Sequence, residues 1–136
     1  MKIFIICSKH LYGKVPPIKK ALELLGHTIT VPNSFDAPMK EEEMKRISKE
    51  EHIAWKSARL WEQVGKVQSN DAVLVLNYEK KGIQNYIGGA TFLEIAHAFY
   101  NRKKIFLLNP IPNNIFTDEL TGMNPTILNG DLNKIL

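Results

Sequence analysis

The chain has 136 residues, of which 44% are hydrophobic and 24% charged, a composition typical of one globular domain with a buried core. Its net charge is +4, but the lysines are scattered and form no basic stripe interleaved with aromatics, which disfavours nucleic acid as a partner. No apolar run approaches the roughly 20 residues of a membrane span, and Met1–Cys7 is too short for a signal peptide. Cys7 is the only cysteine, so no internal disulfide can form. We therefore predict a cytoplasmic protein without a membrane partner.

The first half of the chain predicts two strands and at least two helical regions. Lys2–Cys7 is a continuous apolar, β-branched run, typical of a strand covered on both faces. Two prolines suit the start of a helix whose apolar spacing covers Ile18–Leu25. His27–Val31 indicates a second strand. Met39–Gln68 lacks proline and carries apolar residues at helical intervals, which predicts one long helix or two shorter ones.

The second half continues the alternation of strands and helices. Ala72–Leu76 is a third buried strand, and Thr91–Tyr100 is predicted to be the next helix. Lys104–Leu108 follows as a fourth strand. A short helix is indicated around Asp118–Met123, and a last strand is possible at Thr126–Leu128.

This order predicts an α/β fold. Apolar strands that alternate with helices favour a single-domain open parallel sheet of about five strands with helices on both faces, of the flavodoxin or Rossmann-like type. The sequence shows no internal repeat, low-complexity tract or interdomain linker. Residues 1–136 are therefore expected to form one domain.

The segment between the third strand and its helix, Asn77–Ala90, is the strongest candidate for a ligand site. It is about 13 residues long, where a strand-to-helix connection usually takes about 2–6. Gly88 and Gly89 stand just before the helix, where glycine allows close approach to a ligand and free N–H groups favour an anion. A tight turn without a ligand is the alternative, because neither the dinucleotide nor the Walker motif is present.

Ligands of open parallel sheets bind beyond the carboxyl ends of the strands. The polar or aromatic residues that directly follow the predicted strands are Ser8, Lys9, His10, Asn77, Tyr78 and Asn109.

Glu94 is the candidate catalytic residue. We place it in the first turn of its helix, among the nearly all apolar neighbours of TFLEIAHAF. An acid in a first turn often only compensates the helix dipole on a wet surface. A carboxylate in a helix packed on most sides needs a role or a partner, and the helix N-terminus would keep it ionised, as a nucleophile requires.

Other groups of residues give weaker evidence for a function. Glu94 and His97 form an E-x-x-H pair, but no second pair exists, so we predict neither a metal nor another cofactor. Cys7 is expected to be a small buried thiol. Trp55 and Trp61 are expected to pack into a core or a subunit interface.

Three blocks within Ser69–Pro112 read SNDAVLVLN, YIGGATFLEIAHAF and KKIFLLNPIP. Together with the first strand they resemble the nucleoside 2-deoxyribosyltransferase-like superfamily, which includes the deoxynucleoside 5′-monophosphate N-glycosidases. The match makes Asp71 the aspartate that opens a strand, Gly88–Gly89 the loop that contacts sugar or phosphate, and Glu94 the catalytic glutamate. The family's glutamate attacks the anomeric carbon and releases the base, and water or a second base then takes the sugar.

The chain departs from the family at three places, the first of which is the loop before Glu94, longer than in the family's well-studied enzymes. Gln63 stands where catalytic members carry an acid, eight positions before the strand-opening aspartate. The family's first strand leads to a tyrosine and a Gly- or Ser-rich loop, whereas this strand leads to CSKHLYGK. Ser8, Lys9 or Tyr12 could substitute there.

The resemblance implies an N-glycosidase or deoxyribosyltransferase-like enzyme that acts on a small-molecule nucleoside or nucleotide, with Glu94 as nucleophile. The residues expected to bind the substrate are Ser8, Lys9, Asn77, Tyr86, Gly88, Gly89 and Asn109. Gln63 favours an alternative, a nucleotide-binding or sensor module without turnover. A third possibility is a structural partner protein that uses the helix around Trp55–Trp61. A homodimer or higher homo-oligomer is expected in each case.

Overall fold

The computed structural model describes residues 1–136, which form five strands and five α-helices. The strands are β1 Lys2–Ile6, β2 Thr28–Thr30, β3 Ala72–Val75, β4 Lys104–Leu107 and β5 Thr126–Ile127. The helices are α1 Val15–Leu24, α2 Lys40–Ile47, α3 Lys49–Gln68, α4 Gly89–Tyr100 and α5 Thr117–Met123. Two short 3-10 helices cover Lys9–Lys14 and Leu132–Lys134.

The strands form one open sheet in the order β2-β1-β3-β4-β5, and every pair is parallel. Phe4 of β1 is in register with Val73 of β3, which in turn is in register with Ile105 of β4. The chain therefore builds outward from β1 to β2 and then reverses at β3, as in flavodoxin-like folds. The predicted α/β fold class is confirmed.

Alternate residues of each strand enter opposite halves of the core, because strand side chains point to opposite faces of a sheet. Ile3 and Ile5 pack against α1 on one face. Phe4 and Ile6 point to the other face. There the helices α3, α4 and α5 each contribute a buried residue, namely Val67, Ile95 and Leu120. Helices thus cover both faces, which explains why the three central strands β1, β3 and β4 are almost entirely apolar.

The region Met39–Gln68 forms two helices, α2 and α3, with a break at Ser48. Ser48 has an extended backbone (φ −171°, ψ 162°), and its side-chain oxygen accepts a hydrogen bond from the Glu51 N–H at 3.1 Å. It is therefore the N-cap of α3, which begins a new helix rather than continuing α2. None of the helices is both long and apolar enough to cross a membrane.

The two tryptophans of α3 have different surroundings. Trp61 is 75% exposed, so core packing is wrong for this residue, and a subunit interface stays a prediction. Trp55 is half-buried.

We expect Ser48→Ala to lower the free energy of unfolding by about 1 kcal/mol, because the N-cap hydrogen bond of α3 is lost. Ser57→Ala is the matched control, since Ser57 lies exposed in the interior of the same helix. Urea unfolding followed by circular dichroism measures both. Equal effects of the two substitutions would contradict the capping role.

Candidate functional site

A cavity of about 240 Å³ lies beyond the carboxyl end of β1, next to the point where the strand order reverses. The loop after β1, the segment before α2, the inner side of α3 and the N-terminus of α4 form its walls. The residues predicted from sequence that line it are Ser8, Lys9, Tyr86, Gly88, Gly89 and Glu94. The structure therefore brings together six of the proposed site residues from two separate parts of the chain, 8–9 and 86–94.

Asn77 and Asn109 lie outside the cavity wall, which corrects their predicted place in the pocket. Asn77 is fully buried, and its amide nitrogen donates to the carbonyl oxygens of Asn109 (2.9 Å) and Pro110 (3.0 Å). Its amide oxygen accepts from the Asn109 N–H at 2.9 Å. The two asparagines therefore join the ends of β3 and β4, where the backbone groups need new partners as the strands stop.

Glu94 is 6% exposed, and the part that remains accessible faces the cavity. Because α4 begins at Gly89, Glu94 lies in its second turn, and the predicted first-turn position is wrong. Burial raises the pKa of the Glu94 carboxyl to about 8, against the opposing charges of Lys66 and Lys56. No hydrogen bond contributes. The expectation that the helix N-terminus keeps this group ionised is therefore wrong, since the carboxyl is mostly neutral at pH 7.

Gly88 is the N-cap of α4, and its conformation (φ −88°, ψ 177°) is open to any residue. The close contact at Gly88 is with the Tyr86 side chain. A Cβ at Gly88 would lie 3.1 Å from the Tyr86 hydroxyl oxygen, whereas a Cβ at Gly89 would meet nothing within 4 Å. Tyr86 in turn lies under the ammonium group of Lys80, 4.3 Å from the ring centroid. Gly88 thus allows Tyr86 and Lys80 to stand beside the helix N-terminus.

Several cations gather at this side of the cavity. The His10 imidazole lies on the wall near Lys9, Lys80 and Lys81. His10 is exposed, and its slight desolvation together with the charges of these three lysines lowers its pKa, against the opposing charge of Glu42. The repulsion indicates a positive potential, which favours an anionic ligand group.

The inner side of α3 contributes Trp55 and Arg59, which the sequence analysis did not assign to the site, and Gln63, which the family resemblance placed at the position of an acid. Trp55, Arg59 and Gln63 follow one another at intervals of four, so they lie on one face of the helix. The Arg59 guanidinium lies 5.7 Å from the Trp55 ring centroid, and the Gln63 amide nitrogen lies 3.5 Å from the carbonyl oxygen of Ala90. The spacing was visible in the sequence, but a mixed polar and aromatic face does not reveal which element it packs on.

Two other singled-out residues have structural surroundings. Cys7 is buried, as predicted, and burial followed by the nearby Glu94 raises the pKa of its thiol to about 12. A neutral thiol of this kind is a poor nucleophile. Asp71 accepts a hydrogen bond from the Lys2 N–H at 2.8 Å. It therefore joins the amino ends of β1 and β3, whereas the cavity lies at the carboxyl ends of the strands.

No group of three or more His, Cys, Asp or Glu side chains is placed to hold a metal ion. No known protein family, curated protein or solved structure gives a significant match to this chain.

We expect Asn77→Ala to reduce the free energy of unfolding by about 2–3 kcal/mol, because it removes three hydrogen bonds that a fully buried side chain makes to the backbone of Asn109 and Pro110. Asn133→Ala, which removes a side chain at the surface, should change it little. Urea unfolding of both variants measures the difference. A cost no larger than that of Asn133→Ala would mean that the joined strand ends add nothing to stability.

We expect Glu94→Gln to stabilise the protein at alkaline pH. The folded state binds the Glu94 proton more tightly than the unfolded chain does, so its contribution to stability is full below about pH 4.5 and is lost as the pH rises through about 8. Glutamine stays neutral and avoids this loss. The variant should therefore exceed the wild type by about 2–4 kcal/mol above pH 8, with the difference fading toward pH 4.5.

Urea unfolding at about pH 5, 7 and 9 measures this dependence. Glu119→Gln, at an exposed position of α5, is the control. A stability difference for Glu94→Gln that does not change with pH would contradict the burial of an unpaired carboxyl.

Proposed function

We propose that the cavity binds a nucleoside or nucleotide and that Glu94 cleaves its base–sugar bond, as in an N-glycosidase or deoxyribosyltransferase-like enzyme. The observation that supports this most is a buried carboxyl group without a hydrogen-bond partner on the wall of a cavity at the strand reversal. An unpartnered carboxyl is costly to bury, and such groups concentrate at functional sites. The resemblance of YIGGATFLEIAHAF to the deoxyribosyltransferase-like superfamily points to the same residue.

In the proposed reaction a deprotonated Glu94 oxygen attacks the anomeric carbon of the sugar. The bond from that carbon to the base breaks, and the base leaves with the electron pair and takes a proton from solvent. The sugar is then held as an ester of Glu94 until water or a second base replaces the carboxylate. Because Glu94 is largely removed from water, its carboxylate is little screened from a carbon that gains positive charge in the transition state.

The other predicted residues on the wall would hold the substrate. The N–H groups at Gly88 and Gly89 and the side chains of Ser8 and Lys9 can bind sugar hydroxyls or a phosphate. Tyr86, held beside Gly88, offers its hydroxyl to the same region.

A homodimer in the cytoplasm belongs to the proposal as well. Trp61 on α3 is 75% exposed and Leu93 on α4 is 52% exposed, and these two helices pack against each other. Exposed large apolar side chains on neighbouring helices are typical of an interface between subunits.

Incubation with each of the four deoxynucleosides and their 5′-monophosphates, with free base measured by chromatography, tests the activity. We expect release from at least one substrate and a loss of about a thousandfold or more in Glu94→Gln. Because the pKa of Glu94 is about 8, kcat/KM should rise with pH and level off above that value.

Glu119→Gln, an exposed change on α5, should leave the rate unchanged. Absence of release from all eight compounds, or equal release by Glu94→Gln, would refute the proposed activity.

A nucleotide-binding module without turnover is the second candidate. Gln63 favours it, because an amide on the cavity wall cannot protonate a leaving base. The neutral state of Glu94 at pH 7 also favours it. Thermal stabilisation by nucleotides without base release at any pH would support this function instead.

A further inference from the structure

Glu41, near the start of α2, is held by three basic side chains. Its carboxylate oxygens lie 2.9 Å from the His52 Nε2, 3.3 Å from the Lys56 Nζ and 3.6 Å from the Lys9 Nζ. Burial alone would raise the pKa of Glu41, but the His52 hydrogen bond and the charges of Lys56 and Lys9 outweigh it and lower the pKa to about 2. Glu41 is therefore a fixed anion at neutral pH.

The two lysines that Glu41 holds belong to the cavity wall, as does Glu41 itself. The wall carries the basic residues Lys9, Lys56, Arg59 and Lys80 against the two acids Glu41 and Glu94. Since Glu94 is mostly neutral at pH 7, Glu41 is the main negative charge among these cations. An anionic ligand group that enters the cavity is drawn to the same ammonium groups.

Helix α2, which carries Glu41, is only loosely attached to the rest of the fold. None of its residues is buried, and its main packing partner is α3. Glu42, the next residue, forms an ion pair with Lys9, while its other carboxylate oxygen is buried without a partner. The attachment of α2 across the cavity to the loop after β1 therefore depends on charge pairs with Lys9 and little on apolar burial. Charge pairs of this kind contribute little net free energy, so α2 can give up these contacts to another anion at a small cost in stability.

We propose that Lys9 and Lys56 form a subsite for an anionic group of the ligand, a phosphate or a carboxylate, and that Glu41 is an internal anion that such a ligand displaces. A ligand anion at Lys9 competes with Glu42 as well as with Glu41, so that binding at the subsite weakens both charge pairs and loosens this helix. The inference rests on the proposed function in that the same cavity takes the ligand. It does not depend on turnover.

A role for Glu41 as the acid that protonates the leaving base fits the geometry less well. A carboxylate with a pKa of about 2 and three cationic neighbours does not carry a proton near neutral pH. Its contacts indicate a group that balances charge.

Titration calorimetry with inorganic phosphate, the four deoxynucleoside 5′-monophosphates and the four deoxynucleosides tests the proposal. In Glu41→Gln the lysines keep a neutral partner of the same shape, so a phosphate no longer competes with the Glu41 carboxylate, and only the Glu42 pair with Lys9 remains. We expect phosphate or at least one monophosphate to bind about tenfold tighter than to the wild type, and the deoxynucleosides to bind within about twofold of it.

Glu43→Gln is the matched control, because it removes the same charge from an exposed position of the same helix, where Glu43 pairs only with Lys40. It should change neither affinity. Phosphate affinity in Glu41→Gln that is equal to or below that of the wild type, or an equal gain in Glu43→Gln, would overturn the proposal. So would a lack of phosphate binding by both proteins.

Hydrogen exchange of the wild type supplies a test that needs no variant. We expect amide exchange in Lys40–Ile47 to become faster when the protein is given inorganic phosphate or the monophosphate, whichever binds more tightly in the calorimetry. Slower exchange there would contradict displacement of Glu41. Comparison of inorganic phosphate with the monophosphates shows whether a free anion suffices or the group must belong to a nucleotide. If base release fails while the gain in Glu41→Gln appears, only the proposed reaction is lost. If release occurs without that gain, only the subsite is lost.

Discussion

The parallel pairing of β1 with β3 is the constraint on which the rest of the molecule depends. It places two strand ends side by side although more than sixty positions separate them in the sequence, since Ile6 is in register with Val75. Both strands are then covered on both faces, so polar side chains that could contact a ligand lie only at the strand ends. The loop after β1, the inner side of α3 and the start of α4 meet at the carboxyl end for this reason.

The same arrangement explains the state of Glu94. Helix α4 packs against β3 and β4, and Glu94 is one of its buried residues, together with Thr91, Ile95 and Ala98. A carboxyl at this position loses its hydration and gains no hydrogen bond, so its neutral form is favoured. Glu41 shows the opposite balance, because three basic neighbours more than offset its smaller loss of water. Two acids on one wall are thereby held in opposite charge states by their surroundings.

The strands, their parallel order and most helices could be predicted from the sequence, because continuous apolar runs and helical spacing reflect burial directly. Six residues were predictable as neighbours, since each lies just after a strand or in the loop and first two turns around the start of α4: Ser8, Lys9, Tyr86, Gly88, Gly89 and Glu94. Asn77 and Asn109 also follow strand ends, yet they form hydrogen bonds with each other. The sequence does not distinguish a polar side chain that bonds to the backbone from one that faces a ligand. Glu41 and Trp55 could not be assigned, because the direction in which α2 and α3 face depends on the break at Ser48 and on packing distant in sequence.

The link between Asn77 and Asn109 also bears on how the long connection after β3 can move. Asn77 fixes one end of that connection to β4, and the Tyr86 N–H closes its base by donating to the Tyr78 carbonyl at 3.0 Å. The segment between them is a compact loop whose ends are already joined, so its shape is nearly independent of the sheet. Residues could be added or exchanged inside it without strain on the strands. The protein thus has one wall of its cavity that can diversify in evolution while the sheet and the position of Glu94 stay the same.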